Sequence, residues 1–139
     1  MRLLRSIMLL TKASEYALLS LILISKEEDA VDVDTLSKKL NISKSFLAKI
    51  LQTLAKNDIL ISYKGAKGGF RLSKKPEEIS ILKVIECAEK KPPAVFECSP
   101  SQESCKTKKA DSCLIWPFLN RLQMKIDLFL SEISLKDIM

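Results

Sequence analysis

Three cysteines stand close together in the segment ECSPSQESCKTKKADSC, at positions 98, 105 and 113, in a chain that has no histidine. Thiolates are soft ligands that suit iron-sulfur clusters or zinc, and they are also the groups that redox sensors oxidise. Disulfides are not the default use of cysteine in a reducing compartment. Cys98, Cys105 and Cys113 are therefore candidate metal ligands or sensor thiols.

The residues alone leave several uses of these thiols open. A zinc site is one, although the gaps of six and seven residues are wider than the roughly two to four residues typical of zinc fingers. Redox thiols are another, and the neighbouring Lys106, Lys108 and Lys109 would stabilise thiolates. An enzyme with a cysteine nucleophile could not use the common Cys-His pair, because there is no histidine. The fourth thiol, Cys87, falls in a predicted helix away from the others and is expected to be structural.

The charge of the chain points to a polyanionic partner. The 139 residues carry a net charge of +6, and residues 38 to 75 hold ten lysines and arginines against one acid, Asp58. A concentrated basic segment is typical of nucleic-acid binding. The longest uncharged run, Tyr16 to Ser25, has half of the roughly 20 residues that span a bilayer. We therefore expect no membrane segment, no signal peptide and a cytoplasmic protein.

The basic segment begins with the pattern of a helix-turn-helix. Asp32 is a candidate cap for a short helix over VDTLSKKL, Asn41 can turn the chain, and Ser43 can cap a helix over residues 44 to 57. Helical spacing gives this second helix an apolar face with Phe46, Leu47, Ile50, Leu51 and Leu54. Its opposite face is polar and free of acids, which suits a helix that enters the major groove. The candidate DNA contacts on this helix are Ser43, Lys44, Ser45, Lys49 and Gln52.

A glycine-rich hairpin follows in the stretch ILISYKGAKGGFRLSK. Two short apolar strands flank a turn that holds all three glycines of the chain, as expected of a β-wing. A nucleotide-binding loop is the alternative, but neither of the common phosphate-binding glycine motifs is present. Lys64, Lys67, Gly68 and Arg71 are the candidate wing contacts to DNA phosphates or the minor groove.

A heptad pattern marks the C-terminal helix. Apolar residues recur at intervals of four and three residues along it, namely Ile115, Leu119, Leu122, Ile126, Phe129 and Ile133. Such a stripe can dock on the protein's own core, but in so small a chain it favours pairing with a second copy. A two-fold dimer would read a palindromic DNA site.

Taken together, LTKASEYALLSL, the KGAKGGFRL wing followed by PEEIS, and the cysteine loop before a long helix ending in ISLKDI resemble a known family. It is the IscR/NsrR-type, or Rrf2, family of bacterial winged-helix transcription regulators. The resemblance implies a mainly α fold with a small β-wing: a winged helix-turn-helix domain over residues 8–90, a cluster-binding cysteine loop over 91–113, and a dimerisation helix with a tail over 114–139.

The resemblance also implies a homodimeric DNA-binding regulator, expected to be a repressor, that senses nitric oxide, redox state or iron-sulfur supply. Cys98, Cys105 and Cys113 would hold an iron-sulfur cluster, of two or four irons. IscR-like members complete the ligand set with a histidine, where this chain has Trp116. NsrR-like members instead use a carboxylate from the first helix of the partner subunit, and Glu15 is the residue at the matching position.

Overall fold

The computed structural model describes residues 10–95, 99 and 113–139. In chain order its elements are α1 (Lys12–Ser25), α2 (Val33–Leu40), α3 (Lys44–Lys56), β1 (Leu60–Tyr63), β2 (Gly69–Leu72), a 3-10 turn (Pro76–Glu78), α4 (Ile81–Glu89), α5 (Trp116–Glu132) and α6 (Leu135–Ile138). The prediction of a mainly α fold with a small β-wing is confirmed.

Local sequence signals place the helix ends. Asp32 accepts a hydrogen bond from the backbone N–H of Thr35 at 2.7 Å, and this bond lowers the pKa of the Asp32 carboxyl. Ser43 and Ser80 cap α3 and α4 through their side chains. Asn41 ends α2 with a left-handed φ of 54°, a conformation that asparagine tolerates better than most residues. All four roles depend on contacts within a few residues, which is why the sequence predicts them.

Helix α1 lies at the centre of the described fold and contacts α2, α3, α4, β2 and α6. Its buried face carries Ser14, Ala17, Ser20, Leu21 and Ile24. Three of these side chains are small, so the neighbouring elements can approach its backbone closely. Burying a leucine or isoleucine contributes about 1.5–3 kcal/mol, and Leu21 and Ile24 are at most 2% exposed. The helix-turn-helix and the wing are therefore packed around one helix.

The wing is attached to the loop between α1 and α2. Strands β1 and β2 pair antiparallel, with Leu60 opposite Leu72. Val31 bridges to β2: its N–H donates to the carbonyl of Phe70 at 3.0 Å, and the Phe70 N–H donates to the carbonyl of Val31 at 2.8 Å. These two bonds fix the base of the hairpin against the body of the protein.

The C-terminal end of α5 returns to the winged-helix elements. The N–H of Ile81 donates to the carbonyl of Ile133 at 3.1 Å, and the N–H of Leu135 donates to the carbonyl of Ile79 at 2.8 Å. Leu135 is completely buried. The end of α5 is thus attached by backbone hydrogen bonds to the start of α4.

Two apolar predictions are corrected by the structure. Phe46, expected in the core, is 41% exposed and rests edge-on against Tyr16, with ring centroids 5.8 Å apart. The heptad stripe of α5 is divided, because the face that packs on the core is rotated by about 50° from the stripe on a 3.6-residue wheel. Leu119 is buried and Ile126 and Ile133 pack toward the core, Leu122 is half-buried, and Ile115 and Phe129 are exposed.

We expect the wing to depend on Gly69 more than on Gly65, although both have positive φ. A Cβ at Gly69 would lie 2.5 Å from the backbone of Val31, whereas one at Gly65 would meet nothing within 4 Å. Gly65→Ala should lower the free energy of unfolding by about 1 kcal/mol through backbone strain. Gly69→Ala should cost about 1–3 kcal/mol more through overpacking. Urea unfolding of both variants measures this difference. Equal losses in the free energy of unfolding would contradict the close approach of Gly69 to the backbone of Val31.

Candidate functional site

The polar face of α3 is presented to solvent. Leu47, Ile50, Leu51 and Leu54 are buried and thereby hold the helix in one rotational setting. The five candidate contacts of this helix are all exposed: Ser43, Lys44, Ser45, Lys49 and Gln52. No acidic residue lies within the helix, so this face can approach a phosphate backbone without repulsion.

The start of α3 lies beside the first turn of α2. Lys44 Nζ lies 3.8 Å from a carboxylate oxygen of Asp34, and Lys38 lies 3.0 Å from the other oxygen of the same group. The hydroxyls of Ser43 and Ser45 are 3.0 Å apart. All these groups are largely exposed, so the ion pairs are weak and Lys44 can exchange Asp34 for a phosphate at little cost.

The wing carries three exposed cations, Lys64, Lys67 and Arg71. Lys67, Gly68 and Arg71 line one open cleft of ≈ 430 Å³, together with Asp29 and Asp32 from the loop before α2. Gly68 has a structural role, since a Cβ there would lie 2.6 Å from the carbonyl oxygen of Tyr63. The structure thus brings Lys67, Gly68 and Arg71 together along one cleft beside the wing.

Glu15 lies on the exposed side of α1, in the first turn. Its carboxylate accepts a hydrogen bond from Lys12 Nζ at 2.9 Å, and this bond together with the charge of Glu15 raises the pKa of Lys12. The two side chains are 50% and 70% exposed, respectively, so the pair is weak. Beside it, Leu18, Leu19 and Ile22 line an apolar surface cavity of ≈ 470 Å³.

A second carboxylate, Glu89, holds the N-terminus of α1. One of its oxygens accepts hydrogen bonds from the N–H and the hydroxyl of Thr11, at 3.1 and 2.6 Å, and from the hydroxyl of Ser14. Burial by itself would raise the pKa of Glu89, but the hydrogen bonds outweigh it and lower the pKa below its usual value. Sequence reasoning missed this contact, because Thr11 and Glu89 are 78 positions apart.

Two of the four cysteines lie in the part of the chain that the structure describes, and their settings differ. Cys113 is half-buried just before α5 and carries a free thiol. Cys87 is buried on α4, and burial raises the pKa of its thiol; Lys83 opposes this shift and Glu86 adds to it. A buried thiol whose pKa is raised is protonated at neutral pH and therefore unreactive. Cys98 and Cys105 lie outside the described residues.

Within residues 10–95, 99 and 113–139, no three His, Cys, Asp or Glu side chains are grouped so that they could hold a metal ion. A search of the same residues finds no helix long and apolar enough to cross a membrane.

The long helix contributes one buried amide to this region. Gln123 is 2% exposed. Its side chain forms hydrogen bonds with residues 93, 95 and 99, which lie in the first part of the cysteine loop (91–113). Sequence reasoning missed it too, although a signal exists. Gln123 follows Leu119 by four residues and precedes Ile126 by three, so it is a polar residue on the apolar face of the helix.

Comparison with known proteins decides the family. The model described as "Rrf2: Iron-dependent Transcriptional regulator" matches residues 10–139. The chain belongs to the Rrf2 family. Two relatives named HTH-type transcriptional regulator IscR, from Aliivibrio salmonicida and Photorhabdus laumondii, are each 30% identical over 95% and 94% of this chain, and the matches cover 77% and 79% of those proteins.

A helix-turn-helix regulator of Aquifex aeolicus is 36% identical over 57% of this chain, and the match spans 56% of that relative. Among solved structures, CymR, the global cysteine regulator of B. subtilis, has a TM-score of 0.72 at 21% identity, with 93% of this chain and 94% of that one covered. T. potens IscR has a TM-score of 0.71 at 18% identity, over 93% and 84%. These structures support the winged-helix fold.

Family membership confirms two predictions made from the sequence. This Rrf2 protein is a DNA-binding transcriptional regulator, and it is not an enzyme.

We expect the Glu89 contact to make stability depend on pH. Because the folded pKa of Glu89 is lowered, its contribution is present above the unfolded pKa of about 4.3 and is lost as pH falls through the folded value. Glu89→Gln should lower the free energy of unfolding at pH 7 by about 1–2 kcal/mol, the usual cost of a lost helix cap. The difference in the free energy of unfolding between the parent and Glu89→Gln should narrow below about pH 4.

Unfolding measured at several pH values tests this expectation, with Glu86→Gln on the same helix as the matched control. A constant difference between parent and Glu89→Gln across the whole range would contradict it.

Proposed function

We propose that this Rrf2 regulator is a homodimeric repressor that binds a palindromic operator and senses nitric oxide, redox state or iron-sulfur supply through a cluster. The observation that carries the proposal is the set of three thiols, Cys98, Cys105 and Cys113, directly before the long helix of a winged-helix regulator. The division into residues 8–90, 91–113 and 114–139 is part of the same proposal.

Helix α3 supplies the base contacts in this proposal. Ser45, Lys49 and Gln52 are exposed on one face and have the donors and acceptors that read base edges in the major groove. Ser43 and Lys44, at the start of the helix, are placed for phosphates, because the free N–H groups of a helix N-terminus attract anions.

The wing supplies backbone contacts. Lys64, Lys67 and Arg71 are exposed cations on a narrow hairpin, which can follow phosphates or enter the minor groove. Gly68 lets the turn close, and its backbone stands beside Lys67. These contacts fix orientation and carry little sequence information.

A second copy of the chain is the proposed partner of α5. The core occupies one side of this helix, yet apolar side chains also cover much of the rest: Phe118, Met124, Leu128 and Phe129 are each 59% to 64% exposed. Large apolar side chains that are this exposed on one helix mark an interaction surface, so a partner helix would cover these residues. Two such subunits related by a two-fold axis would read a palindrome.

The donor set fits an iron-sulfur cluster with an incomplete thiolate shell. Cys113 is half-buried and free, while Cys87 is buried with a raised thiol pKa and is left out. Glu15 is exposed and only weakly paired with Lys12, so Glu15 of the partner subunit can serve as the fourth ligand at little cost. A cluster supplies redox-active iron, and a carboxylate, a harder ligand than a thiolate, would leave one iron open to attack.

Redox thiols without a cluster are the second candidate. The oxidized form of a structural neighbour, Staphylococcus aureus CymR, has been solved, with a TM-score of 0.68. A zinc site is the third. The metal content of the protein separates these three possibilities.

For the DNA contacts, Lys49→Ala should lower affinity in a sequence-dependent way, because it removes a base contact. Lys67→Ala should weaken all sequences similarly and reduce the slope of log K against log salt by about one unit, because it removes a phosphate contact. Titrations of operator and random DNA at several salt concentrations measure both effects. Lys136→Ala, on α6, is the control; the assignment fails if Lys49 and Lys67 behave like it.

For the dimer, Phe118→Asp and Phe129→Asp should each give monomers, because a charge would be buried without a partner. Ser131→Asp places the same charge on an exposed position of the same helix and should leave the dimer intact. Sedimentation analysis distinguishes these outcomes. Phenylalanine variants that remain dimeric would move the interface away from α5.

For the cluster, anaerobically purified protein should be coloured and contain iron and sulfide. Changing Cys98, Cys105 or Cys113 to alanine should remove the iron, whereas Cys87→Ala should retain it. Glu15→Ala should allow assembly but change the rate of reaction with nitric oxide or oxygen, because only the hard ligand is lost.

Iron analysis and visible absorbance provide the measurement. Zinc in place of iron, or a colourless protein whose loop cysteines form a disulfide, would support the alternatives instead. If Cys87→Ala strips the iron and Glu15→Ala does not alter the cluster, the fourth ligand is the helix thiol.

A further inference from the structure

Gln123 is a buried amide on the core-facing side of α5, next to Leu119 and Leu130, which are also buried. A polar side chain in such a place costs free energy unless each of its polar atoms finds a partner. Replacing it with an apolar residue would keep the packing and avoid that cost. The partners of Gln123 therefore indicate what the amide is for.

All four hydrogen-bonding positions of the amide are used. Its oxygen accepts from the N–H of Val95 and from the hydroxyl of Ser99, both at 2.7 Å. Its nitrogen donates to the carbonyl of Pro93 and to the carboxylate of Asp127, both at 2.8 Å. The amide oxygen faces two donors and the amide nitrogen faces two acceptors, so the orientation of the amide is fixed.

Three of these four partners belong to the segment that leads from α4 into the cysteine loop. A neighbouring amide, Asn120, donates to the carbonyl of Ser99 at 2.8 Å and strengthens the attachment. Ser99 itself is fully buried. Side chains of α5 thus form hydrogen bonds with backbone groups of Pro93, Val95 and Ser99, as a neighbouring strand does in a sheet.

The segment is also held at its other end. Glu89, the last residue of α4, binds Thr11 and Ser14 at the start of α1, close in sequence to Glu15. Residues 89 to 99 are therefore attached to α1 at one end and to α5 at the other. This is the route by which the loop thiols are connected to the helix that carries Glu15 and to the long helix.

We propose that Gln123 is a positioning residue: its amide clamps Pro93, Val95 and Ser99 onto α5, and it thereby positions the chain on both sides of Cys98 in the sequence relative to this helix. The inference rests on the proposed function in one respect, namely that the loop thiols act together as ligands. The clamp itself is a property of the protein without iron.

The experiment compares Gln123→Met with the parent. Methionine has a similar size but leaves Val95, Ser99 and Pro93 without their partner. In cluster-free protein, hydrogen exchange at the Val95 amide should become about tenfold faster, as expected for the loss of a buried hydrogen bond. In anaerobic, iron-loaded protein, loss of the cluster to a chelator should also become about tenfold faster, with an altered visible circular dichroism spectrum.

Two further variants keep the test decisive. Asp127→Asn retains an oxygen that can accept from Gln123 and should stay within about twofold of the parent in both measurements. Gln123→Leu also removes the acceptor for Val95 and Ser99 and the donor to Pro93. It should give the same direction of change if Gln123→Met does not fold.

The outcomes separate the clamp from the proposed function. An unchanged rate of hydrogen exchange at the Val95 amide would overturn the clamp, whatever the rate of cluster loss. Faster exchange with an unchanged rate of cluster loss would overturn the positioning role. A parent protein that holds no cluster would defeat the proposed function, and the exchange measurement would still decide whether Gln123 fastens the segment.

Discussion

The packing of α1 is the constraint on which the rest of the structure depends. This helix contacts α3, the wing strand β2, α4 and α6, so the helix-turn-helix and the wing share one support. Its small buried side chains, Ser14, Ala17 and Ser20, allow that close approach. Its N-terminus is held by Glu89 from the far end of α4. A shift of α1 relative to its neighbours would change the packing of both α3 and the wing.

The cysteine region is built onto this support from two sides. Glu89 ties the start of the segment to α1, and Gln123 ties residues 93 to 99 to α5. The end of α5 is in turn bonded to α4 through Ile133 and Ile81. The proposed function requires that a change at the thiols favour one arrangement of the two DNA-binding domains of the dimer over another, because only then can it alter DNA affinity.

The parts of the fold that depend on local contacts could be predicted from the sequence. Asp32, Asn41 and Ser43 end or begin helices through neighbours within a few residues, and the basic character of α3 and the wing is a matter of composition. The contacts of Glu89 and Gln123 could not be predicted, since they join residues 24 to 78 positions apart. The divided stripe of α5 shows the same limit: heptad spacing identifies an apolar helix, but only tertiary packing decides which side faces the core.

The central claim is that the state of the loop thiols controls DNA binding, and the most direct measurement is the operator affinity of one anaerobic preparation before and after its cluster is removed. Coupling between two sites typically amounts to about 1–3 kcal/mol. The dissociation constant of the parent for the operator should therefore change by at least about fivefold when the cluster is removed. The same treatment should leave the dissociation constant of Cys113→Ala unchanged. Equal affinities of the two forms of the parent, at the same salt concentration, would contradict the account.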